Sequence, residues 1–335
     1  MGFPWGLGED EIDFWLIMVE RILITGGAGF LGGALASRLC GRHKVMILDS
    51  LRRNSLGCRG LLGLAGVRLI RGDVTDRDCV FAASEGCRRV VHMASVAGVS
   101  AVEADPEGTV RTAVVGTANL LEACRKLPGL KRVVILSSSE VYGPRAEDPG
   151  EDAVAVPGEA AGLRWSYAAG KLAAEQLGFY YHDRFGLPVT VVRPFNVYGP
   201  AQVGEGAVHT FVDRALSGEP LQVHNGGRQV RAWCYVDDMI DGLLLALSKE
   251  AAVGRVFNLG NPDQAVTVRK LAEMVVRLSE SDSRLEERFR PGPDVEIRRP
   301  DISRARRLLG FAPAVGLQEG LRRTLEWYRR EAADG

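Results

Sequence analysis

Along residues 19–193, short apolar runs alternate with longer segments in which apolar residues recur every three or four positions. The apolar runs predict buried strands at residues 21–24, 44–48, 67–70, 89–92, 132–136 and 188–192. The amphipathic segments predict helices, chiefly at residues 29–40, 107–127 and 167–184. Strands that alternate with helices form βαβ units with right-handed crossovers. The pattern therefore predicts an α/β fold with a doubly wound parallel sheet.

This rhythm ends near residue 193, and Gly- and Pro-rich stretches then separate shorter elements. A strand at residues 221–224 and a helix at 266–279 predict a smaller C-terminal α/β lobe. The apolar run at 256–259 is expected to return to the large sheet. Ligands of doubly wound sheets bind outside the carboxyl ends of the strands. We therefore expect the functional cleft to lie between the sheet and the lobe.

The expected domain organisation has three parts. Residues 1–17 form an N-terminal extension, to which we assign no function because its apolar stretch follows acidic residues and is too short to span a bilayer. Residues 18–193 form the large domain with the parallel sheet. Residues 194–335 form the substrate-binding lobe, and some of its elements, near 225–260, return to the large domain.

The composition of the chain argues against several classes of binding partner. The 335 residues carry 42 basic and 42 acidic side chains, so the formal net charge is zero. A chain without net positive charge is not expected to bind nucleic acid or a membrane surface. Its six cysteines show no CxxC spacing and its five histidines show no ligand spacing, so we expect no metal site and no disulfide framework. The expected location is the reducing cytoplasm.

A glycine-rich turn, TGGAGFLG at residues 25–32, lies where the first strand ends and a helix begins. Gly26 permits the tight turn, Gly29 lets the backbone approach a pyrophosphate, and Gly32 lets the helix pack on the strand. The helix N-terminus adds amide donors and a positive dipole end. This arrangement predicts a dinucleotide site, although a tight turn alone is also a possible interpretation.

Asp49 at the end of the second strand decides which dinucleotide is expected. Its carboxylate can accept the hydroxyls of the adenosine ribose and would repel a 2′-phosphate. NAD is therefore predicted over NADP. Arg52 and Arg53 follow closely and leave NADP as the alternative, unless they are simply solvated loop charges.

Tyr167 and Lys171 are four residues apart on a predicted helix and therefore share one face. A nearby ammonium favours the phenolate, so we expect Lys171 to lower the pKa of Tyr167 and to prepare it as a base for a sugar hydroxyl. Such pairs are common on helix surfaces. This pair gains weight because the hydroxyl-rich segment SSSEVYG, residues 137–143, ends the preceding strand.

These motifs together resemble the extended short-chain dehydrogenase/reductase superfamily of nucleotide-sugar enzymes, over residues 19–327. The motifs lie at residues 25–32, 72–74, 92–95, 137–143, 167–171, 193–200 and 235–238. The resemblance implies a Rossmann domain that binds NAD and a C-terminal lobe that binds a UDP-sugar. It also implies a homodimer, in which the helices at 107–127 and 167–184 form a four-helix interface.

The resemblance implies roles for individual residues. The cofactor is expected to contact Gly26, Gly29, Phe30, Leu31, Gly32, Asp49, Asp73, Val74, Ala94, Tyr167, Lys171 and Pro194. The substrate is expected to contact Asn196, Arg231 and Arg298. The catalytic residues are expected to be Tyr167, Lys171, Ser138, Ser139, Glu140 and Arg298. No metal is implied.

The dipeptide Ser139-Glu140 points to one reaction within the superfamily. The 4,6-dehydratases resemble Asp-Glu at this place, C4 epimerases usually have a small or hydroxyl residue in place of Glu140, and UDP-glucuronate decarboxylases resemble Ser-Glu. The segments at 164–165 and 298–302 also resemble decarboxylases. The expected activity is therefore NAD-dependent decarboxylation of UDP-glucuronate. The alternatives are an epimerase that inverts C4 of UDP-glucose or UDP-glucuronate, and a module that binds NAD without catalysis.

Overall fold

The structure is a computed structural model that describes residues 19–156, 158–159, 162–290 and 295–334. The predicted N-terminal extension, residues 1–17, lies outside the described residues. Among the helices in the described ranges, none is both long enough and apolar enough to cross a lipid bilayer.

Seven parallel strands form the main sheet. They are β1 (Arg21–Thr25), β2 (Lys44–Asp49), β3 (Val67–Arg71), β4 (Arg89–His92), β5 (Arg132–Leu136), β7 (Val189–Pro194) and β12 (Arg255–Leu259). Their order across the sheet is β12-β7-β5-β4-β1-β2-β3. The chain places β2 and β3 on one side of β1, and β4, β5, β7 and β12 on the other side. The loops after β1 and β4 therefore lead away from each other at the carboxyl edge of the sheet and leave a crevice there. The predicted doubly wound α/β fold is confirmed.

Ten helices cover the sheet and build the lobe within the part of the chain that the structure describes. They are α1 (Phe30–Leu39), α2 (Arg77–Ser84), α3 (Val99–Ala104), α4 (Pro106–Arg125), α5 (Ser166–Phe185), α6 (Ala207–Leu216), α7 (Val236–Ser248), α8 (Val268–Ser279), α9 (Ser303–Leu309) and α10 (Leu317–Asp334). Leu120 of α4 and Ala174 of α5 belong to the apolar cluster on one face of the sheet, and Leu35 of α1 and Leu243 of α7 belong to the cluster on the other face. Both faces are therefore covered, as a parallel sheet requires.

Short strands organise the regions around the crevice. They are β6 (Arg145–Glu147), β8 (Val197–Tyr198), β9 (Leu221–His224), β10 (Val230–Ala232), β11 (Cys234–Tyr235), β13 (Ala265–Thr267), β14 (Leu285–Arg288) and β15 (Ile297–Arg299). Four of them form a second sheet in the order β13-β10-β15-β6. Strand β6 comes from the loop after β5, so this sheet connects the end of the main sheet to the lobe.

Local sequence explains two of the boundaries. The long helix α4 begins at Pro106, because Asp105 Oδ1 accepts the amide hydrogen of Gly108 at 2.9 Å and proline suits a first turn. The helix predicted at 266–279 begins two residues later, because β13 takes those positions and Thr267 caps α8 by accepting the amide hydrogen of Lys270. β12, which spans the run at 256–259, pairs with β7.

Candidate active site

The glycine-rich turn joins β1 to α1 and needs glycine for steric reasons. Gly26 has a φ of +72°, and a Cβ there would lie 2.7 Å from the backbone nitrogen of Ala94. A Cβ on Gly32 would overlap the carbonyl oxygen of Gly26. Gly26 and Gly32 therefore have no room for side chains, and the first residues of α1, Phe30 to Gly32, line the crevice beside the turn.

Asp49 closes β2 beside this turn. Its Oδ2 accepts the amide hydrogen of Ala28 at 2.9 Å, and its Oδ1 accepts that of Leu51 at 2.7 Å. Burial raises the pKa of Asp49, and the two amides oppose that shift. The carboxylate is thus held in one orientation at the wall of the crevice.

A cavity of about 480 Å³ opens along this edge. Every residue of the predicted cofactor set lines it, namely Gly26, Gly29, Phe30, Leu31, Gly32, Asp49, Asp73, Val74, Ala94, Tyr167, Lys171 and Pro194. Arg52, Arg53 and, from the loop after β8, Gln202 and Glu205 also line it. The cavity extends along the edge of the sheet. Two of its lining residues, Asp49 and Pro194, lie at the ends of β2 and β7, and three strands of the sheet separate these two strands.

Tyr167 and Lys171 lie in the first half of α5, against the end of β5. Lys171 is 4% exposed; its Nζ donates to the carbonyl oxygen of Leu136 at 2.7 Å and lies 5.7 Å from the centre of the Tyr167 ring. Burial lowers the pKa of Lys171 to about 8, and the carboxylate of Glu175 opposes that shift.

Burial raises the pKa of Tyr167 to about 12, while hydrogen bonds with the side chains of Ser138 and Ser95 act in the other direction. The chain by itself therefore does not lower this pKa, contrary to what the four-residue spacing to Lys171 led us to expect. The reason is that loss of hydration dominates at a phenol set into the protein.

The hydroxyl-rich segment folds into a 3₁₀ helix, Ser139–Tyr142, directly after β5. The Ser138 hydroxyl caps it by accepting the amide hydrogen of Glu140 at 3.1 Å, and the same side chain bonds Tyr167. Glu140 Oε1 lies 3.2 Å from Nη2 of Arg298, and the carbonyl oxygen of Ser139 accepts a hydrogen bond from Nη1 of Arg298. Hydrogen bonds and one ion pair thus connect the phenol of Tyr167 to a buried guanidinium.

Arg298 is 1% exposed, and burial lowers its pKa. It lies on β15 in register with Arg231 of the adjacent strand β10. Asn196 Nδ2 donates to the carbonyl oxygens of Ala232 at 3.2 Å and of Arg298 at 3.5 Å. The three predicted substrate residues therefore lie close together at strands β10 and β15 of the second sheet.

The structure thus brings the predicted residues into two adjoining groups. The cofactor set surrounds the cavity, whereas Ser138, Ser139, Glu140, Asn196, Arg231 and Arg298 are not part of its lining. Ser138 joins the groups through its bond to Tyr167. Within the described ranges, no three His, Cys, Asp or Glu side chains are clustered in a way that could hold a metal ion.

Sequence reasoning missed two residues of this region. Ser95 bonds Tyr167 and lines the cavity, and it directly follows Ala94 in a motif that was recognised. Glu205 accepts the amide hydrogens of Ser100 and Ala101, both at 3.1 Å, and so links the loop after β8 to the start of α3. No sequence signal pairs Glu205 with that helix, because the two segments are far apart in the chain.

A profile of the NAD dependent epimerase/dehydratase family matches residues 22–260. The chain belongs to this family. As a member of the NAD dependent epimerase/dehydratase family it is an enzyme whose cofactor is NAD. The residues present fit that cofactor: Gly26 and Gly32 have no room for side chains, the first residues of α1 line the cavity, and Asp49 offers an oriented carboxylate whose charge would repel a 2′-phosphate.

Several family members resemble this chain over nearly its whole length. The UDP-N-acetyl-alpha-D-glucosaminuronate decarboxylase of Bacillus cytotoxicus is 33% identical over 322 residues, 93% of this chain and 98% of that protein. UDP-glucuronic acid decarboxylase 6 of Arabidopsis thaliana is 35% identical over 306 residues, 90% of this chain and 86% of that protein. The crystal structure of UDP-glucuronic acid 4-epimerase from Bacillus cereus, with UDP-glucuronic acid and NAD, superposes with a TM-score of 0.84 at 27% identity and covers 93% of this chain and 99% of that one.

Proposed function

We propose that the enzyme decarboxylates a UDP-linked hexuronic acid, with UDP-glucuronate as the substrate. The observation that carries this proposal is the ion pair between Glu140 and the buried Arg298, one hydrogen-bonded residue away from Tyr167. The names of the curated relatives support a decarboxylase, and both named substrates are UDP-linked uronic acids.

Each polar group beside Tyr167 has a task in this reaction. Tyr167 accepts the proton of the C4 hydroxyl, Ser138 hydrogen-bonds the C4 oxygen, and Lys171 supplies positive charge beside the phenol. NAD, when bound, accepts the hydride from C4 and can return it. Once C4 is a ketone, the bond from C5 to the carboxylate breaks, and its electron pair moves to the C4 oxygen as an enolate while carbon dioxide leaves.

Glu140 and Arg298 act on the second half of the reaction. A carboxylate beside the carboxylate of the sugar raises the energy of the bound acid, and departure of carbon dioxide relieves that repulsion. Arg298 then balances the remaining charge of Glu140 and orients the acid or water that returns a proton to C5. Reduction at C4 completes formation of a UDP-pentose.

The second candidate function is epimerisation at C4. It is favoured by the likeness to the 4-epimerase from Bacillus cereus, whose structure holds UDP-glucuronic acid and NAD. An epimerase has to turn the 4-keto sugar and return the hydride to its other face. That reaction has no use for an acidic group beside C5, which is the role that we propose for Glu140.

One assay separates the candidates. Purified protein is incubated in separate reactions with UDP-glucuronate, UDP-N-acetylglucosaminuronate and UDP-glucose, and products are read by carbon dioxide release and mass spectrometry. We expect carbon dioxide and UDP-xylose from UDP-glucuronate and no reaction with UDP-glucose. Inversion of C4 without loss of mass would establish the epimerase. If only UDP-N-acetylglucosaminuronate were converted, the enzyme would still be a decarboxylase, but its substrate would be the acetamido sugar.

We also propose that the two parts of the chain divide the work. Residues 18–193 would hold NAD and residues 194–335 the UDP-sugar, with elements near 225–260 returning to the large domain. The pairing of β12 with β7 and the position of Arg231 and Arg298 in the second sheet support this division.

We propose a homodimer built on α4 and α5, which pack side by side. Their outer surface exposes Val110, Val115, Tyr180 and Phe185, each between 38% and 55% exposed. Two copies that pair these helices would cover the four side chains in a four-helix interface. Sedimentation at micromolar concentration should show a dimer, and a Val115→Glu variant should shift it toward monomer. A native protein that sediments only as a monomer contradicts this proposal.

The cytoplasm remains our proposal for the location. It is supported by the six cysteines, which are free thiols, three of them buried, namely Cys87, Cys124 and Cys234. Fractionation of cells that carry the tagged protein tests it, and recovery of the protein outside the cytoplasm would contradict it.

A further inference from the structure

A buried carboxylate lies one helical turn beyond Lys171. Glu175 is 1% exposed and accepts hydrogen bonds from three donor atoms, one on Ser137 directly after β5 and two on Arg193 of the adjacent strand β7. The Ser137 hydroxyl donates to its Oε1, Nε of Arg193 donates to the same oxygen at 2.9 Å, and Nη2 of Arg193 donates to Oε2 at 2.6 Å. The bidentate geometry fixes the plane of the carboxylate as well as its position.

Arg193 also donates hydrogen bonds to two residues other than Glu175. Its Nη1 donates to the Tyr142 hydroxyl at 2.7 Å and to the carbonyl oxygen of Glu151 at 3.2 Å. The Tyr142 hydroxyl in turn donates to Oδ1 of Asn258 at 2.8 Å. The guanidinium therefore has partners on both sides, and Glu175 cannot move without breaking bonds in the interior.

The partners of Glu175 are direct neighbours of the reacting site. Ser137 precedes Ser138, which bonds Tyr167, and Arg193 precedes Pro194, which lines the cofactor cavity. Lys171 donates to Leu136, the residue before Ser137. One carboxylate thus ties together α5, the end of β5 and the end of β7, which are the elements that carry the base, its hydroxyl partner and the cavity wall.

We propose that Glu175 is a positioning residue that sets both the place and the protonation of Lys171. The proposal rests on the proposed function only in needing Tyr167 and Lys171 as the oxidising pair, which decarboxylation and epimerisation share. It assigns a role to a group that touches neither substrate nor cofactor, and that acts through a lysine one turn away.

The charge states of the groups around Lys171 show why its protonation depends on Glu175. His92 on β4 is neutral, because burial lowers its pKa to about 3. Tyr167 is protonated in the resting protein, since its pKa is raised to about 12. The charge of Arg193 is matched by Glu175 itself. The carboxylate of Glu175 therefore raises the pKa of Lys171 and favours its ammonium form. Burial acts in the opposite direction and lowers this pKa to about 8.

The test is a pH titration of Lys171 in the full chain, with and without added NAD. Lysine labelled with ¹³C is followed by NMR, and the Lys171 signal is assigned by its loss in Lys171→Met. The native midpoint should lie near pH 8. Glu175→Gln should lower it by about one pH unit, because it removes an opposite charge close to a buried group. This readout needs no substrate, so it is independent of which reaction the enzyme catalyses.

Turnover supplies a second readout. With a midpoint one unit lower, the protonated fraction of Lys171 at pH 8 falls about fivefold, so kcat for NADH formation should fall about fivefold at pH 8 and recover at pH 6. A loss caused by damaged structure alone would not recover on acidification. The matched control is Glu151→Gln, since Glu151 is also buried and paired, with Arg304, in the outer part of the same network.

Three results would overturn the proposal. The first is a Lys171 midpoint in Glu175→Gln equal to the native one. The second is an equal shift in the Glu151→Gln control. The third is native kcat in Glu175→Asp, a variant that keeps the charge and is informative even where the glutamine variant does not fold. Its shorter side chain should leave the Lys171 midpoint within about 0.3 pH units of the native value and lower kcat at both pH values. Native kcat in this variant would rule out the positioning role.

Discussion

Replacing Glu140 by glutamine tests the proposed reaction most directly, because it removes one charge and little volume. The native carboxylate pairs with Arg298 at 3.2 Å. In Glu140→Gln the buried guanidinium keeps its bond to the carbonyl oxygen of Ser139 and loses its anionic partner. The amide also no longer repels the carboxylate of the sugar. The carboxylate of the sugar is present both before and after C4 is oxidised, so neither change favours one of these two states, and NADH should still form at close to the native rate.

The size of the effect follows from the exposure of the pair. Removing one partner of a fully buried ion pair costs about 3 to 5 kcal/mol, whereas an exposed pair contributes about 0.2 to 1 kcal/mol. Because Arg298 is buried while 33% of the Glu140 side chain is in contact with solvent, an intermediate value of about 1.5 to 2 kcal/mol applies. Release of carbon dioxide should therefore slow about 10- to 30-fold.

A single turnover with UDP-glucuronate measures both steps at once. Absorbance at the NADH band follows the oxidation, and rapid quench with mass spectrometry follows the 4-keto acid and the loss of carbon dioxide. The control is Glu147→Gln, which removes one of the two acidic partners, Glu147 and Asp148, of the neighbouring surface arginine Arg299. Accumulation of 4-keto acid only in Glu140→Gln is the expected result. Native carbon dioxide release from Glu140→Gln would refute the role of Glu140 and with it the argument for a decarboxylase.

The remaining predictions concern the oxidation and the cofactor. Tyr167→Phe should abolish NADH formation and leave NAD bound, since only the proton acceptor is lost; near-native turnover would refute the base. Asp49→Ala should weaken NAD about 10- to 100-fold in a fluorescence titration, because it removes a charge-assisted contact of about 1.5 to 3 kcal/mol. Equal affinity of the native enzyme for NAD and NADP would contradict the assigned role of Asp49.

Features that depend on neighbouring residues could be predicted from the sequence. The turn around Gly26 and the carboxylate of Asp49 lie within one βαβ unit, so spacing alone places them at the same edge of the sheet. Tyr167 and Lys171 share a helix face for the same reason. Gly26, Asp49, Tyr167 and Lys171 all line the cavity, as do the other cofactor residues that the family resemblance implies.

Features that depend on distant residues could not be predicted from patterns. The second sheet joins β6, residues 145–147, to β15, residues 297–299, and nothing in the sequences of these distant segments specifies that pairing. The bond between Glu175 and Arg193 likewise needs the packing of α5 on β7. The pKa of Tyr167 was expected to fall with Lys171 nearby, and it rises because burial, a property of the whole fold, dominates.

The return of β12 to the main sheet also constrains how the protein is made. Strand β7 leaves the ribosome well before its outer partner, because the chain from β8 to α7 is synthesised between them. Until then, β7 is an edge strand with the apolar residues Val189, Val191 and Val192 and unpaired backbone groups. Nascent chains that end within the lobe therefore expose an edge strand that can pair with other chains, and they are prone to aggregation until residue 259 has emerged.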